Sequence, residues 1–477
     1  MKKKWIKIRL ETKAREFYSK TLLVYNLLDK GYGVILSENV EFYPKGISFL
    51  NSIYLDLNKK LKKLKKYGDK IVVLHEEGLV WKKEDYIKSN PKKNLQIIDK
   101  FFCYGKYQYC ITNKYFPNSN KIVITGNPRN NILTPMFELI EKEKVDKIKE
   151  KYKDFILYVS TARNTPKGCD DFSPVARYKY KLEIFKEMGL LLNTNEENLF
   201  KEKFFFNEKI LEKTLELFKE IEEKYPQIKI IIRPHPSENR KFWEEKFIDS
   251  KNIKVIYEGT LTEWIKASSL VIQNGCTSSI ESLLIGKKCI SYKPISDKRF
   301  DIELVDNTSL NITSKEKLID LIVSGYNENF KSLVVDSEEY KKYLEKYISY
   351  SKKDESILKI IEELEKLEIP KIKFAKYKYK IIGGVINYEY FIKKYVGLLI
   401  YKILEKIKIT KFKWMKTINK KVQGYYENIL YSKEKFEDIS INEINNLFSK
   451  YNKIYNKKLK VKILKMNEKV FVLEKEE

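Results

Sequence analysis

The chain of 477 residues reads as an α/β protein built on two doubly wound parallel sheets. Three observations predict this. Short apolar runs such as Ile71-Val72-Val73-Leu74 and Ile228-Lys229-Ile230-Ile231-Ile232 stop sharply at polar residues, as buried parallel strands do where they enter loops. Segments of helical periodicity separate these runs, and strands alternating with helices argue for parallel order. The alternation also occurs in two successive series. The expected organisation is therefore a first α/β domain over 1–150, a second over 151–336, and a helical, lysine-rich section over 337–477.

The elements follow in order. Trp5 to Leu10 is a strand, and Ala14 to Lys30 is a helix with Phe17, Leu22, Leu23, Tyr25 and Leu28 among its apolar positions. Gly31 and Gly33 fit the cap and turn that follow. Val34-Ile35-Leu36 is the next strand, Ile53 to Tyr67 a lysine-faced helix, and Ile71 to Leu74 a strand. Phe101 to Gly105 and Ile122 to Thr125 complete the first series, and Met136 to Tyr152 is a connecting helix. The second series starts with the strand Phe155 to Val159. The stretch from Asn164 to Lys203 has weak periodicity and reads as an insertion. A helix from Glu208 to Tyr225, the strand Ile228 to Ile232 and the strand Val255-Ile256-Tyr257 follow. Thr260 and Glu263 form a capping-box pattern, as do Ser278 and Glu281. Between them lies the strand Leu270 to Gln273; Gly286 ends the second capped helix, and Lys288 to Tyr292 is a strand.

Hydrophobic residues make up 43% of the chain, so wholesale disorder is excluded. A formal net charge of +28, carried mainly by lysine, favours anionic partners: acidic substrates or an acidic membrane leaflet. No RRM, KH, zinc-finger or homeodomain signature accompanies that charge, so no nucleic-acid partner is expected. The cysteines are Cys103, Cys110, Cys169, Cys276 and Cys289, widely spaced and without a C-x-x-C pair. With two histidines in the chain, no zinc or other metal site is expected, and a reducing compartment is. Met1-Lys2-Lys3-Lys4-Trp5 lacks an apolar signal core, and no run approaches the roughly 18 apolar residues of a spanning helix. The expected location is cytoplasmic, with a peripheral position on the inner membrane face left open. Phe391 to Lys408 bears on that point: Ile392, Val396, Leu399, Ile403 and Ile407 form a stripe flanked by Lys393, Lys394, Lys402, Lys406 and Lys408. It reads either as an amphipathic helix on anionic lipid or as a helix packed on the body.

Both histidines stand at predicted strand ends, where open α/β sheets bind ligands. His75-Glu76-Glu77-Gly78 brings a carboxylate pair, and a crevice is expected to raise one of them toward use as a general base. The plain alternative is a solvated acidic turn. Arg233-Pro234-His235-Pro236 clamps an imidazole between two prolines, suited to neutralising a departing phosphate with Arg233 beside it. Gln273-Asn274-Gly275-Cys276-Thr277-Ser278-Ser279-Ile280-Glu281 runs from strand through turn to helix start. There Asn274, Gly275, Thr277, Ser278, Ser279 and Glu281 would surround a phosphate; a well-capped structural helix explains it equally. Further cleft positions are Asn127 and Arg129 in Gly126-Asn127-Pro128-Arg129-Asn130, and Ser160 and Arg163 after the Phe155 to Val159 strand.

Taken together, Glu11-Thr12-Lys13-Ala14-Arg15-Glu16-Phe17, His-Glu-Glu-Gly, Gly-Asn-Pro-Arg-Asn, Arg-Pro-His-Pro-Ser-Glu and Asn-Gly-Cys-Thr-Ser-Ser-Ile-Glu occur here in an order that resembles the bacterial surface-carbohydrate biosynthesis proteins. The resemblance covers roughly residues 1–330. It implies a GT-B-like architecture: two Rossmann-like domains facing a cleft, the second holding the nucleotide. More distantly, the acidic-acidic-Gly and His-Pro motifs are similar to those of bacterial sialyltransferases and Kdo transferases. That likeness implies Glu76 or Glu77 as the base, His235 as the partner of the CMP phosphate, and Ser278 and Ser279 as phosphate holders. The Gly126–Asn130 segment and the second histidine motif are also similar to teichoic-acid polyol-phosphate transferases that use CDP-glycerol. The expected activity is glycosyl transfer from a nucleotide-activated sugar, CMP-linked and acidic in one version, to a cell-surface glycan, with no cofactor. A CDP-glycerol-type polyol-phosphate transferase and a non-catalytic membrane-associated scaffold are the alternatives.

Overall fold

The computed structural model describes residues 1–40, 43–117, 119–161, 164–187, 191, 193–333, 337–349, 355–376, 378 and 439–476. Arg163 and the Phe391 to Lys408 stripe lie outside the described residues. The chain divides into two compact units, Met1–Ile132 with Ile348–Glu477, and Leu133–Tyr347.

In the first unit, β1 (Lys3–Arg9), β2 (Gly33–Ser37), β3 (Ile47–Leu50), β4 (Lys70–Leu74), β5 (Lys100–Cys103) and β6 (Ile122–Ile124) run parallel in the order β2-β1-β3-β4-β5-β6. Chain order reverses between β1 and β3, a topological switch point. β3 has no counterpart in the sequence expectations; Ile47-Ser48-Phe49-Leu50 is too short to separate from its loop by pattern alone. A buried pair helps fix the register here. Lys7 Nζ lies 2.5 Å from Asp69 Oδ2, and Asp69 also accepts from Ser48 Oγ at 2.8 Å and the Gly46 N–H at 3.1 Å.

The second unit carries β7 (Ile156–Val159), β8 (Ile230–Arg233), β9 (Ile253–Val255), β10 (Leu270–Gln273), β11 (Cys289–Tyr292) and β12 (Leu310–Ile312), all parallel in the order β12-β11-β10-β7-β8-β9. Its switch point lies between β7 and β10. Ile156 and Tyr158 pack into one core with Phe218, Ile221 and Trp243, while Leu157 and Val159 pack into another with Trp264 and Ile265. Burial on both faces explains why these strands read as unbroken apolar runs. The fold class is the one expected: α/β, with two Rossmann-like doubly wound parallel sheets in one chain.

Three expectations are corrected. The first domain ends near Ile132 rather than at 150. The helix Lys142–Tyr152 belongs to the second unit, where Tyr152 packs 5.4 Å from Trp264 and Glu141 Oε2 pairs with Lys266 Nζ at 2.6 Å. The stretch expected as a loose insertion contains the helix Pro174–Glu187 and the first turns of the helix Thr194–Lys224. They are tied by a buried bidentate pair, Arg177 to Glu208, at 2.8 and 2.6 Å. Nor is the section after 337 simply helical. It supplies β13 (Lys371–Ile372), β14 (Val461–Asn467) and β15 (Val470–Lys475) to the first unit. β15 pairs antiparallel with β2, and β14 with β15. The helix Ile441–Tyr455 covers the helix Lys13–Asp29, with Phe448, Tyr451 and Tyr455 around Tyr25 at 5.5–5.7 Å.

Candidate functional site

Each sheet gathers polar groups at its carboxyl rim. In the first unit the rim is built on the turn after β4. His75 is 1% exposed, and its Nδ1 lies 2.7 Å from the Glu77 carbonyl oxygen. The Glu77 N–H lies 3.2 Å from the same nitrogen, so the turn fixes the orientation of the ring. Burial pushes the imidazole pKa down, so the ring stays neutral. Tyr54, Trp81 and Tyr86 surround it at centroid distances of 5.6, 5.5 and 6.3 Å. Its Nε2 is buried without a hydrogen-bond partner. Gly78 follows with φ +92°, and a Cβ there would stand 3.0 Å from the Trp81 ring and 3.2 Å from Tyr86. The positive φ favours glycine, and the close rings leave little room for a side chain.

The two carboxylates differ. Glu76 is 4% exposed; Lys20 Nζ lies 2.7 Å from its Oε1, and Asn127 Nδ2 donates to its Oε2 at 3.1 Å. Tyr104 donates its hydroxyl to the Glu76 carbonyl at 2.9 Å. Glu77 keeps 43% of its side chain exposed, takes Arg15 Nη1 at 3.1 Å, and accepts from the Tyr54 hydroxyl at 2.9 Å. Arg15 also binds Glu16 at 2.6 Å, and Glu16 accepts from Asn51 Nδ2 at 2.8 Å and the Glu11 N–H at 3.1 Å. Glu11 and Asn51 follow β1 and β3, so this network sits at the switch point. Burial alone would raise both carboxyl pKa values, but Lys20 and Arg15 outweigh it at Glu76, and Arg15 and Tyr54 at Glu77. Both values end below the usual range. The expected upward shift is therefore corrected: opposite charge within hydrogen-bond reach exceeds desolvation. Asn127 is brought to Glu76, and its side chain also caps the Arg129 N–H at 2.9 Å. Sequence reasoning did not assign Arg15, Glu16, Lys20, Asn51 or Tyr54 to the site. Arg15 and Glu16 stand inside a motif it quoted, and nothing in the pattern marks the rest.

In the second unit, the loops after β10, β7 and β8 meet side by side. Thr161 donates its hydroxyl to the Asn274 carbonyl across the switch point. Ser160, fully buried, donates to both oxygens of Glu238 at 3.1 and 2.9 Å, and its N–H bonds the Arg233 carbonyl at 3.0 Å. Glu238, missing from the predicted site, also accepts from Trp243 Nε1 at 2.8 Å. His235 is half-buried. Its Nδ1 lies 2.7 Å from Ser237 Oγ and 3.2 Å from the Ser237 N–H, which favours the tautomer with its proton on Nε2. Arg233 is buried and directs its two terminal nitrogens to the carbonyls of Glu258 and Gly259, each at 2.7 Å. Burial lowers its pKa to about 10, so it remains a cation at neutral pH. Its contacts make it a clamp for the loop after β9. Tyr257, on that loop, carries the Arg240 guanidinium 4.2 Å above its ring.

The helix after β10 spans Ser278–Ile285, with Thr277 in the cap position and no side-chain cap bond. The capping box expected of Ser278 and Glu281 is absent because the helix starts one residue earlier, with the Glu281 N–H bonded to the Thr277 carbonyl at 3.1 Å. The box at Thr260 and Glu263 forms as expected. Ser279 donates its hydroxyl to the Cys276 carbonyl at 3.0 Å. Ser278 Oγ, fully buried, has no partner. Gly275 adopts φ +59°, which lets the chain turn from strand to helix within the loop. Asn274 holds that loop down by donating to the Tyr292 carbonyl at 2.6 Å.

No protein-family model matches this chain, and no curated protein matches it in sequence. Solved structures do. UDP-GlcNAc 2-epimerase from Methanocaldococcus jannaschii, solved with UDP-GlcNAc and UDP, is 17% identical over 73% of this chain and 81% of its own, with TM-score 0.39. The wall teichoic acid polymerase TagF is 12% identical over 76% and 88%, with TM-score 0.45. Anabaena Alr3699/HepE, solved with UDP-glucose, is 10% identical over 77% and 100%, with TM-score 0.40.

Proposed function

We propose that the protein is a nucleotide-dependent transferase that moves a sugar from a nucleotide-activated donor to a hydroxyl of a cell-surface glycan. One observation carries this reading: in the second unit, a buried, unpartnered serine hydroxyl after β10 and a strand-end histidine after β8 flank the loop of β7, beside the β7/β10 switch point. A switch point is where open α/β sheets bind ligands. A helix start with an unsatisfied hydroxyl suits a phosphate. The donor phosphate would receive hydrogen bonds from Ser278 Oγ and His235 Nε2.

In an inverting transfer the acceptor oxygen attacks the anomeric carbon. Its proton passes to a carboxylate base, and the bond from that carbon to the phosphate oxygen breaks. The electron pair leaves with the phosphate, where His235 and the helix start meet the growing charge. Glu77 is the better base of the pair because it is reachable, while Glu76 is enclosed by Lys20 and Asn127. The test is a thermal-shift panel of CMP, CDP, UDP and GDP, followed by turnover with the matching sugar donors. Selective stabilisation by CMP with transfer of an acidic sugar supports the CMP-linked version; CDP-glycerol turnover replaces sugar transfer with polyol-phosphate transfer. No stabilisation by any nucleotide removes the proposal.

A further inference from the structure

We propose that the cluster of Tyr54, Trp81, Glu77 and Arg15 on the first unit is a binding subsite for a neutral sugar ring of the acceptor. The inference rests on the transferase reading for its place in the reaction, but on these residues for its chemistry. Sugar rings present flat faces of C–H bonds and rims of hydroxyls. They are held by aromatic planes against the faces and by planar polar groups at the rim. This cluster supplies both. Tyr54 and Trp81 are half-buried, with ring centroids 6.5 Å apart. The Tyr54 hydroxyl and Arg15 Nη1 each hold one oxygen of the half-exposed Glu77.

The aromatic pair is pre-set. Both rings stand edge-on to His75, at 86° and 77°, and the His75 ring is pinned through Nδ1 and fully enclosed. Trp81 is also seated on Gly78, where no side chain intervenes. Rings held this firmly lose little freedom when a ligand covers them.

The polar groups beside the rings decide between a sugar and the other flat ligand an aromatic pair can stack, a nucleobase. Glu77 is a half-exposed carboxylate that can accept from sugar hydroxyls, while the cation beside it, Arg15, is already paired with Glu16 and Glu77 and so is poorly placed to take a nucleotide's phosphate.

The experiment is isothermal titration of the full chain with neutral gluco-, galacto- and N-acetylhexosamine oligosaccharides, alongside CMP and CDP. Wild-type protein should bind at least one oligosaccharide with a Kd of about millimolar. Trp81→Ala should weaken that binding about tenfold or more. Trp81→Phe and Tyr54→Phe, which keep a ring, should stay within about threefold, and nucleotide affinity should not move. If Trp81→Ala fails to fold, Trp81→Leu against Trp81→Phe gives the same contrast. Equal sugar affinity in the Ala or Leu variant overturns the proposal. So does failure of every sugar to bind, or a nucleotide that binds through Trp81. Sugar binding without turnover would keep the subsite and reject the transferase reading; nucleotide turnover without sugar binding would do the reverse.

Discussion

Glu76 and Glu77 are neighbours of one residue type with different expected roles. Glu77→Gln keeps the size of the side chain and removes the base. Turnover should fall about 10²–10⁴-fold while the melting temperature hardly moves, because the side chain is 43% exposed. Glu76→Ala should instead cost roughly 3–5 kcal/mol of stability by leaving the Lys20 ammonium buried without its partner; denaturant unfolding of the two variants checks the contrast. The pH behaviour follows from the same contacts. Glu76 has a folded pKa below its usual 4.5, so its ionised form stabilises the fold above that value. The contribution is lost as pH falls through the lower folded value. Glu77 must be ionised to act. Arg15→Met should raise its pKa, so the acidic limb of the kcat/KM profile should move to higher pH; an unmoved limb would show that Glu77 is not the group being titrated. His235→Ala should reduce turnover about 10²–10³-fold at near-constant melting temperature, since the ring is only half-buried. The strand-end positions of the two histidines were legible because the apolar runs before them stop there. Arg15, Lys20 and Tyr54 were not, because they reach the turn through helix and loop packing that no local pattern encodes.

At the scale of elements, the parallel strands with long apolar runs were readable, and the short or late ones were not. β12 follows the polar pair Thr308-Ser309 and spans Leu310–Ile312, too few residues to show a period. β14 and β15 did carry a signal: Val461-Lys462-Ile463 and Val470-Phe471-Val472-Leu473 lie on either side of Glu468-Lys469, a hairpin spacing. The lysine content of the surrounding section masked it. These strands matter more than their distance along the chain suggests. Val470, Phe471, Val472 and Leu473 are all buried, with Phe471 and Leu473 at 0% exposure, and β15 occupies the open edge of β2. Phe471→Ala should therefore destabilise the first unit by about 3–5 kcal/mol, read as a lowered denaturation midpoint, although residue 471 lies far in sequence from the strand it supports.

The whole molecule shows why its division was misread. Sequence order placed the boundary after the helix ending at Tyr152, since that helix closes the first alternating series. Packing places it near Ile132, because Glu141, Tyr152 and Val145 make their contacts with Lys266 and Trp264 of the second unit. The first unit is in turn discontinuous: its sheet is completed, and its first helix covered, by residues after Ile348. The two units should therefore behave differently when separated. The 133–347 fragment contains a complete six-stranded parallel sheet with both faces covered. It should fold cooperatively and keep any nucleotide-induced thermal shift seen in the full chain. The 1–132 fragment lacks β15 on the edge of β2 and the Ile441–Tyr455 helix over Tyr25. It should expose an unpaired strand edge and an aromatic face, and should aggregate or remain unfolded. Supplying residues 348–477 as a second chain should restore soluble, structured material, measured by circular dichroism and size-exclusion chromatography. A 1–132 fragment that folds and stays monomeric alone would mean that the C-terminal strands are an appendage to a sheet already stable without them.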